Sequence, residues 1–353
     1  MGKSAGAPQR QSGRLFILLV LLPLLCFTPW ILMTGPYDLG RKFGIISDIK
    51  LQTFVKPGDL EALASKEPAQ PKPGEPPAAA AQFDALSTRE AANRLSSVAT
   101  TAMLVLVAAG AGLFGWMTAW RRSANPGDRP LFWLAPLMSV ALLKAIWPGD
   151  DHRIYNLLGN GFFESTVGKI HGRTSLDVLD CQQIVSNFVL VVAGVGLTFG
   201  AAFIAIQASR LKSADDGPRY LDLKRQLDLI LLGSALMLAA GVLDVKQWTA
   251  LPLPFISDDK LAAAYASLAG AFVAFQSICY VAALVVMFLP TALLLDTART
   301  RIVRKEASVE PAGSPASSLP EGFVATDLLR AAAMLAPILV GPVANFASLK
   351  IGI

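Results

Sequence analysis

The chain has 353 residues, of which 53% are apolar and only 16% are charged, and its formal net charge is +5. Soluble domains carry about 25% charged residues, so this composition excludes an ordinary water-soluble protein. The basic residues stand beside apolar runs and form no long tract with interleaved aromatic residues, which excludes a nucleic-acid-binding surface. The three cysteines, Cys26, Cys181 and Cys279, are too far apart to build a zinc site or a disulfide framework.

The chain opens with basic residues and an apolar run. Lys3, Arg10 and Arg14 precede LFILLVLLPLLCFTPWILM at 15–33. This run exceeds the roughly 7–15 residues of a signal-peptide core, and no small-x-small cleavage site follows it. Residues 1–34 are therefore predicted to form an uncleaved signal-anchor span with a cytoplasmic N-terminus.

A polar segment follows at 35–97. Its centre, KPGDLEALASKEPAQPKPGEPPAAAAQ, is rich in proline and alanine and nearly neutral. Such a composition buries too little apolar surface to order itself. The segment is predicted to be a flexible external stalk, and the alternating pattern before its centre is compatible with a small hairpin.

Residues 98–305 are predicted to form a transmembrane helical bundle, because apolar runs of about 20 residues match the thickness of a hydrocarbon core. With the anchor they give six spans, the five in the bundle lying at 98–120, 131–147, 184–208, 227–248 and 261–295. The predicted fold class is therefore all-α, a polytopic helical membrane bundle.

Charge placement indicates that the short run at 131–147 crosses the membrane. One group of basic residues precedes it, and a second group follows the run at 184–208. Their members are Arg121, Arg122 and Arg129, and then Arg210, Lys212, Arg219, Lys224 and Arg225. Both groups fall in the cytoplasm, as the positive-inside rule requires, only if 131–147 crosses.

The last bundle span is predicted to continue as a cytoplasmic helix through LLLDTARTRIVRKE, with a linker at 306–325 after it. Residues 326–353 contain an apolar run that Arg330, Pro337 and Pro342 interrupt. They are predicted to form an interfacial or re-entrant helix, with a seventh span as the alternative.

The loop between the third and fourth spans holds both histidines, His152 and His171, and also Asp150 and Asp151. These four residues are candidate ligands of an external metal site, although no pair that includes a histidine has helical spacing. The turn sequences PGDD, GNG and HGR favour a second interpretation, a solvated loop that binds no metal.

Small residues recur along three of the predicted spans. In lipid, helices associate through close backbone packing, which small residues permit. The packing candidates are Gly112, Gly194, Gly196, Gly200, Ala266 and Gly270. These faces are predicted to pack the bundle internally, and the alternative is that they join subunits.

Polar residues within the spans are the candidates for a pore or path. Gln276, Ser277 and Asn187 are singled out, since polar groups in hydrocarbon must pair or meet water. A hydrogen-bonded helix contact is the alternative for Gln276. Asp244 and Lys246 lie near the outer end of the fifth span and are interpreted as interfacial.

The sequence carries no G-x-S-x-G, H-E-x-x-H or P-loop motif, so no catalytic residue and no cofactor is assigned. The leading hypothesis is a non-enzymatic membrane protein that self-associates, with a pore or channel as one form of the assembly. The alternatives are a scaffold subunit of an envelope complex and a metal-binding protein or enzyme that uses His152 and His171. The expected partners are the lipid bilayer and either further copies or other membrane subunits, and the composition favours a bacterial inner membrane.

Overall fold

The computed structural model describes residues 77–146, 173–255 and 259–309. These ranges are almost wholly helical and contain no strand. The helices are α1 (Pro77–Arg122), α2 (Arg129–Phe132), α3 (Leu134–Ile146), α4 (Arg173–Arg210), α5 (Gly217–Ala250) and α6 (Asp259–Val309). Short 3₁₀ turns at Ala214–Asp216 and Leu253–Phe255 stand before α5 and α6. The predicted all-helical class is thus confirmed for the described part of the chain.

Four helices are long and apolar enough to cross a bilayer. The candidate crossings are Ala91–Arg122, Cys181–Arg210, Gly217–Ala250 and Ala262–Lys305. Each exceeds the roughly 20 residues that a hydrocarbon core of about 30 Å requires. The protein is therefore a multi-pass membrane protein. The predicted anchor at 1–34 and the helix at 326–353 lie outside the described residues, so the count of six spans stays a prediction.

Within the described residues, which stop at 146, the helix at the predicted span 131–147 is shorter than the four candidate crossings. The run is divided between α2 and α3, and α3 has 13 residues. At 1.5 Å per residue, α3 is about 20 Å long, which is less than the hydrocarbon thickness of about 30 Å. The described part of α3 is thus shorter than that core, and the crossing at 131–147 stays a prediction.

Helix α1 begins earlier than the sequence predicts. Residues 35–97 were expected to be a flexible stalk, but 77–97 are helical and continue directly into the membrane-spanning part of α1. The local cause is the sequence PAAAAQ, which places proline at the start of a helix and follows it with alanine, the strongest helix former. Residues 35–76 lie outside the described ranges.

Contacts between helices fix their directions. Gly112 and Gly115 of α1 approach Ala193 and Leu197 of α4, so these two helices run parallel. Helix α5 runs antiparallel to α1, because Thr101 contacts Asp244 whereas Arg122 contacts Asp222. Helix α6 runs parallel to α4, since two contacts in register join them: Thr198 with Met287, and Ala201 with Thr291.

Helix α4 is the central helix of the bundle. Of its most apolar stretch 78% is buried, against 28% for α1 and for α6. Its side chains Leu197, Phe203 and Ile204 are fully enclosed. Among the described helices, α1 and α6 therefore lie outermost and leave most of their apolar surface uncovered.

The helix directions collect basic residues at one end of the bundle, here called the basic end. The C-terminal ends of α1, α4 and α6 and the N-terminal end of α5 meet there. The residues concerned are Arg121, Arg122, Arg129, Arg210, Lys212, Arg219, Lys224, Arg225, Arg299, Arg301, Arg304 and Lys305. The opposite end, where α1 and α4 enter the bundle and α5 ends, is called the distal end.

A buried ion pair ties the chain together at the basic end. Asp128, at the start of α2, is almost fully buried and accepts hydrogen bonds of 2.6 and 2.7 Å from both terminal nitrogens of Arg210. Arg122 in turn pairs with Asp222 and donates to Gln226 of α5. This arrangement holds the ends of α1, α4 and α5 in fixed relation, since a two-pronged arginine–carboxylate pair has a defined geometry.

Candidate functional site: a buried carboxylate among three helices

Asp244 lies inside the bundle, between α5 and α1. Only 9% of the residue is exposed. The Thr101 hydroxyl donates a hydrogen bond of 2.6 Å to its Oδ1, and the Thr100 hydroxyl lies 3.5 Å from the same oxygen. A carboxyl group buried at a membrane-spanning helix contact is costly and is a functional-site candidate by default.

The α1 side of this site is a run of hydroxyl groups. Thr100 also lies 2.9 Å from the backbone carbonyl of Ser97 and 3.1 Å from that of Ser96. The Ser97 hydroxyl, one turn of α1 before Thr101, is buried and makes no hydrogen bond with the described residues. One step further toward the distal end, the Asn93 amide donates to the Ala250 carbonyl at 3.3 Å.

Helix α6 supplies the third wall of the site. The ring of Tyr280 covers Gly241, where a Cβ atom would lie 3.5 Å from the phenol oxygen. Gly241 precedes Asp244 by about one helical turn, so the Tyr280 ring lies beside the part of α5 that carries Asp244. The Gln276 amide donates to the Tyr280 hydroxyl at 2.8 Å. We call Thr100, Thr101, Asp244, Gln276 and Tyr280 the Asp244 cluster.

The cluster lies toward the distal end of the bundle. Asp244 stands six residues before the end of α5, which is about 9 Å along the helix axis. Thr101 is 21 residues from Arg122 at the basic end, which is about 31 Å. A carboxyl group at this position is inside the protein but only about two helical turns from the distal helix ends.

The sequence-predicted path residues are placed as follows. Gln276 is buried and bonds to Tyr280 on its own helix, and Ser277 is buried and donates to the Val273 carbonyl at 2.8 Å. Asn187 on α4 is half-buried. The structure thus brings Gln276, through its bond to Tyr280, to the edge of the Asp244 cluster, but not Ser277 or Asn187.

Asp244 is the residue whose role the sequence interpretation missed. Its position near the end of an apolar run was interpreted as interfacial, yet it is enclosed by α1 and α6. The available signal was the pair of threonines, Thr100 and Thr101, which begin one apolar run at about the depth at which Asp244 ends another, on the same side of the membrane. These threonines point to Asp244 only once α1 is known to pair antiparallel with α5, and a local sequence pattern does not predict that pairing.

The glycines of α1 and α4 lie at the contact between these helices. A Cβ atom added at Gly112 would be 2.8 Å from Ala193, and one at Gly200 would be 3.0 Å from the Gly115 carbonyl oxygen. A Cβ atom at Gly196 would collide with the ring of Trp116, whose indole N–H donates to the Val192 carbonyl. The carbonyl of Gly194 accepts the Thr198 hydroxyl at 2.7 Å within α4.

The small residues of α6 lie in a different environment. Ala266 is exposed and Gly270 is half-buried. A Cβ atom added at Gly270 would meet nothing within 4 Å. This stripe therefore makes no close helix contact within the described bundle.

The candidate metal ligands Asp150, Asp151, His152 and His171 lie outside the described residues. Within 77–146, 173–255 and 259–309, no three His, Cys, Asp or Glu side chains come together to hold a metal ion. The described part of the chain thus offers one site of chemical interest inside the membrane, the Asp244 cluster, which has a carboxyl group surrounded by hydroxyl groups.

Comparison of the chain with models of protein families, with curated proteins and with solved structures found no match.

Proposed function

We propose that this chain is a non-enzymatic membrane protein that self-associates, and that the outward face of α6 joins the copies. The observation that carries the proposal is the contrast between the small-residue faces. Those of α1 and α4 are occupied by each other, whereas Ala266 and Gly270 of α6 approach no other helix within the described bundle.

The chemistry of helix association in lipid supports this assignment. Lipid tails give no hydrophobic drive, so helices associate where small residues allow close backbone approach. Ala274, one turn after Gly270, is also exposed and extends the face along α6. A second copy placed against this face would gain the backbone contact that Gly112 and Ala193 already make within one copy.

The hydrogen bonds of the path candidates favour association without a pore through the described helices. Gln276 and Ser277 are satisfied by partners in α6 itself. A conduction path would therefore have to lie between copies or involve residues outside the described ranges.

We infer in addition that the basic end faces the cytoplasm. Lysine and arginine are retained on the cytoplasmic side of membrane proteins, and every crossing helix of the described bundle places basic residues at this end. This orientation, the cytoplasmic N-terminus and a bacterial inner membrane form one consistent proposal.

The experiment is the mass of the full-length particle in nanodiscs or mild detergent, compared between Gly270→Leu and Ala271→Leu. Both substitutions add the same side chain to neighbouring positions of α6, and Ala271 is exposed on a different side of the helix. Leucine is a better helix former than glycine, so a loss of association cannot come from a weakened helix. We expect wild type and Ala271→Leu to be oligomeric and Gly270→Leu to be a single 37.4 kDa chain.

A monomeric wild-type particle would overturn the proposal, and so would an equal loss of association in both variants. A particle that contains unequal subunits would favour the scaffold hypothesis instead.

Orientation is tested by labelling single cysteines with a membrane-impermeant maleimide. Cys181 is exposed at the distal end, and Asp215→Cys places an exposed thiol at the basic end in a chain whose native cysteines are replaced by serine. We expect Cys181 to react in intact cells and Asp215→Cys to react only after the membrane is opened. The reverse pattern would reject the proposed orientation.

A further inference from the structure

Asp244 is surrounded by neutral groups in the described part of the bundle. Its hydrogen-bond donor is the Thr101 hydroxyl, the Thr100 hydroxyl lies 3.5 Å away, and no lysine or arginine pairs with it there. Lys246 is two residues further along α5 and so lies about 200° around the helix axis. A carboxylate buried without a cationic partner has a large desolvation cost, which proton binding removes.

Among the described residues, the helices packed around Asp244 bring no basic side chain into contact with it. Helix α6 presents Tyr280, a phenol held by the Gln276 amide, and the thiol of Cys279 is its chain neighbour. On α1, Arg94 is exposed and lies two turns from Thr101. On α4, Cys181 near the distal end is exposed. The titratable groups of these helices therefore leave the charge of Asp244 uncompensated.

Polar side chains follow α1 from Asp244 toward the distal end, and Thr100 contacts Ser97 at its backbone carbonyl. Thr101, Thr100, Ser97 and Asn93 follow one another along α1, and Asn93 reaches the last residue of α5. Ser97 is 1% exposed, and its hydroxyl has no partner among the described residues. A hydroxyl both donates and accepts hydrogen bonds, so this group can pass a proton between water and a neighbouring acceptor.

We propose that Asp244 is a reversible proton-binding site that exchanges with the aqueous phase at the distal end of the bundle. A proton from that phase reaches a carboxylate oxygen by way of the Ser97 and threonine hydroxyls, forms an O–H bond there and cancels the negative charge. Release reverses these transfers. The inference does not depend on self-association, since all the groups that carry it belong to one copy.

The test uses the full-length chain in nanodiscs and infrared spectroscopy. The wild-type spectrum minus that of Asp244→Asn isolates the carbonyl band of a protonated carboxylic acid at residue 244. We expect this band at neutral pH, its loss as the pH is raised, and a shift of the band when H₂O is replaced by D₂O. Asp296→Asn, which removes an exposed carboxyl group from α6, is expected to leave the band unchanged.

Three outcomes would overturn the proposal. Absence of the band at every pH at which the bundle stays helical would show a permanently ionised Asp244. A band that neither titrates nor shifts in D₂O would show a closed, purely structural acid. A band that disappears on addition of sodium at constant pH would identify a metal cation, and not the proton, as the ligand.

A second variant tests the route. Ser97→Ala keeps the size of the side chain nearly constant but removes the hydroxyl. We expect the acid band to remain and its shift in D₂O to become slower than in wild type. An unchanged rate would contradict the assignment of Ser97 to the exchange path.

Discussion

Thr101 on α1 and Asp244 on α5 are joined by a hydrogen bond of 2.6 Å, although 143 residues separate them in the chain. The bond links two antiparallel membrane-spanning helices at a buried position. It therefore fixes the register of α1 against α5 near the distal end, as the Arg122–Asp222 pair does at the basic end.

Thr101→Val should destabilise the bundle, because it removes the hydroxyl that donates to Asp244 at 2.6 Å and keeps the shape of the side chain. Hydrogen bonds between membrane helices contribute on average about 0.6 kcal/mol and at most about 2 kcal/mol. We expect the free energy of unfolding, measured by titration with sodium dodecyl sulfate, to fall within that range. Thr297→Val is the control, since the Thr297 hydroxyl is exposed and bonds within its own helix. Equal losses in the two variants would show that the interhelical bond contributes nothing.

Gly115→Ala should weaken the contact between α1 and α4. The added Cβ atom would lie 2.6 Å from the Leu197 backbone nitrogen, and backbone cannot move aside as a side-chain tip can. Overpacking of this kind costs about 1–3 kcal/mol. Gly110→Ala is the matched control on the same helix, because its Cβ atom would meet nothing within 4 Å. We expect that variant to be as stable as wild type or more so, and the same denaturant titration compares the two.

Arg210→Gln should destabilise the basic end by about 1–4 kcal/mol, because it leaves the buried carboxylate of Asp128 without its cationic partner. Arg210→Lys should recover only part of the loss, since an ammonium group cannot form the two parallel bonds of 2.6 and 2.7 Å. Arg219→Gln is the control, as its contact with Asp216 is exposed and 3.8 Å long. A loss in Arg219→Gln as large as that in Arg210→Gln would contradict a specific role for the buried pair.

The hydrogen bonds of Asp216 predict that the folded protein loses stability as the pH falls into the acid range. The backbone N–H groups of Ser213 and Lys212 hold the pKa of this carboxyl group below its ordinary value of 3.8, and Arg219 and Lys305 act in the same direction. A pKa that is lower in the folded state stabilises the fold above the unfolded pKa, and the gain is lost as the pH falls through the folded value. Asp216→Asn should therefore lose less stability than wild type between pH 5 and pH 3, roughly the window that such a shift spans. Asp215→Asn, which removes the exposed neighbouring carboxylate but keeps Asp216 and its two backbone donors, is the matched control. If it changed the acid loss of stability as much as Asp216→Asn, the turn geometry would not be the cause.

The sequence predicts the membrane class, the helices and the candidate packing glycines because these depend on local composition. An apolar run of sufficient length has few alternatives to a helix in lipid. The boundary at Pro77 was missed because the same alanines that favour a helix also occur in flexible linkers, and only continuation into α1 distinguishes the two. The burial of Asp244 was missed because it depends on how the helices pair. The sequence around an aspartate near a helix end is the same whether that residue faces lipid headgroups or a partner such as Thr101.

In helix α6 the sequence also fails to show which residues contact another helix. Its stripe at Ala266 and Gly270 has the spacing of the stripes in α1 and α4, but only the structure distinguishes an occupied face from an open one. Residue spacing indicates that a close approach is sterically allowed. Whether a neighbour is present depends on the order in which helices surround α4.

The parallel pairing of α1 with α4 has a consequence for how the protein is made. Helix α1 leaves the ribosome long before α4, its principal partner, and its glycine face has no matching surface while residues 123–172 are still being synthesised. During that interval Gly112 and Gly115 face lipid or the insertion machinery. Assembly of the bundle must therefore follow insertion as a separate step, and variants at these glycines should slow maturation of newly made chains as well as weaken the finished protein.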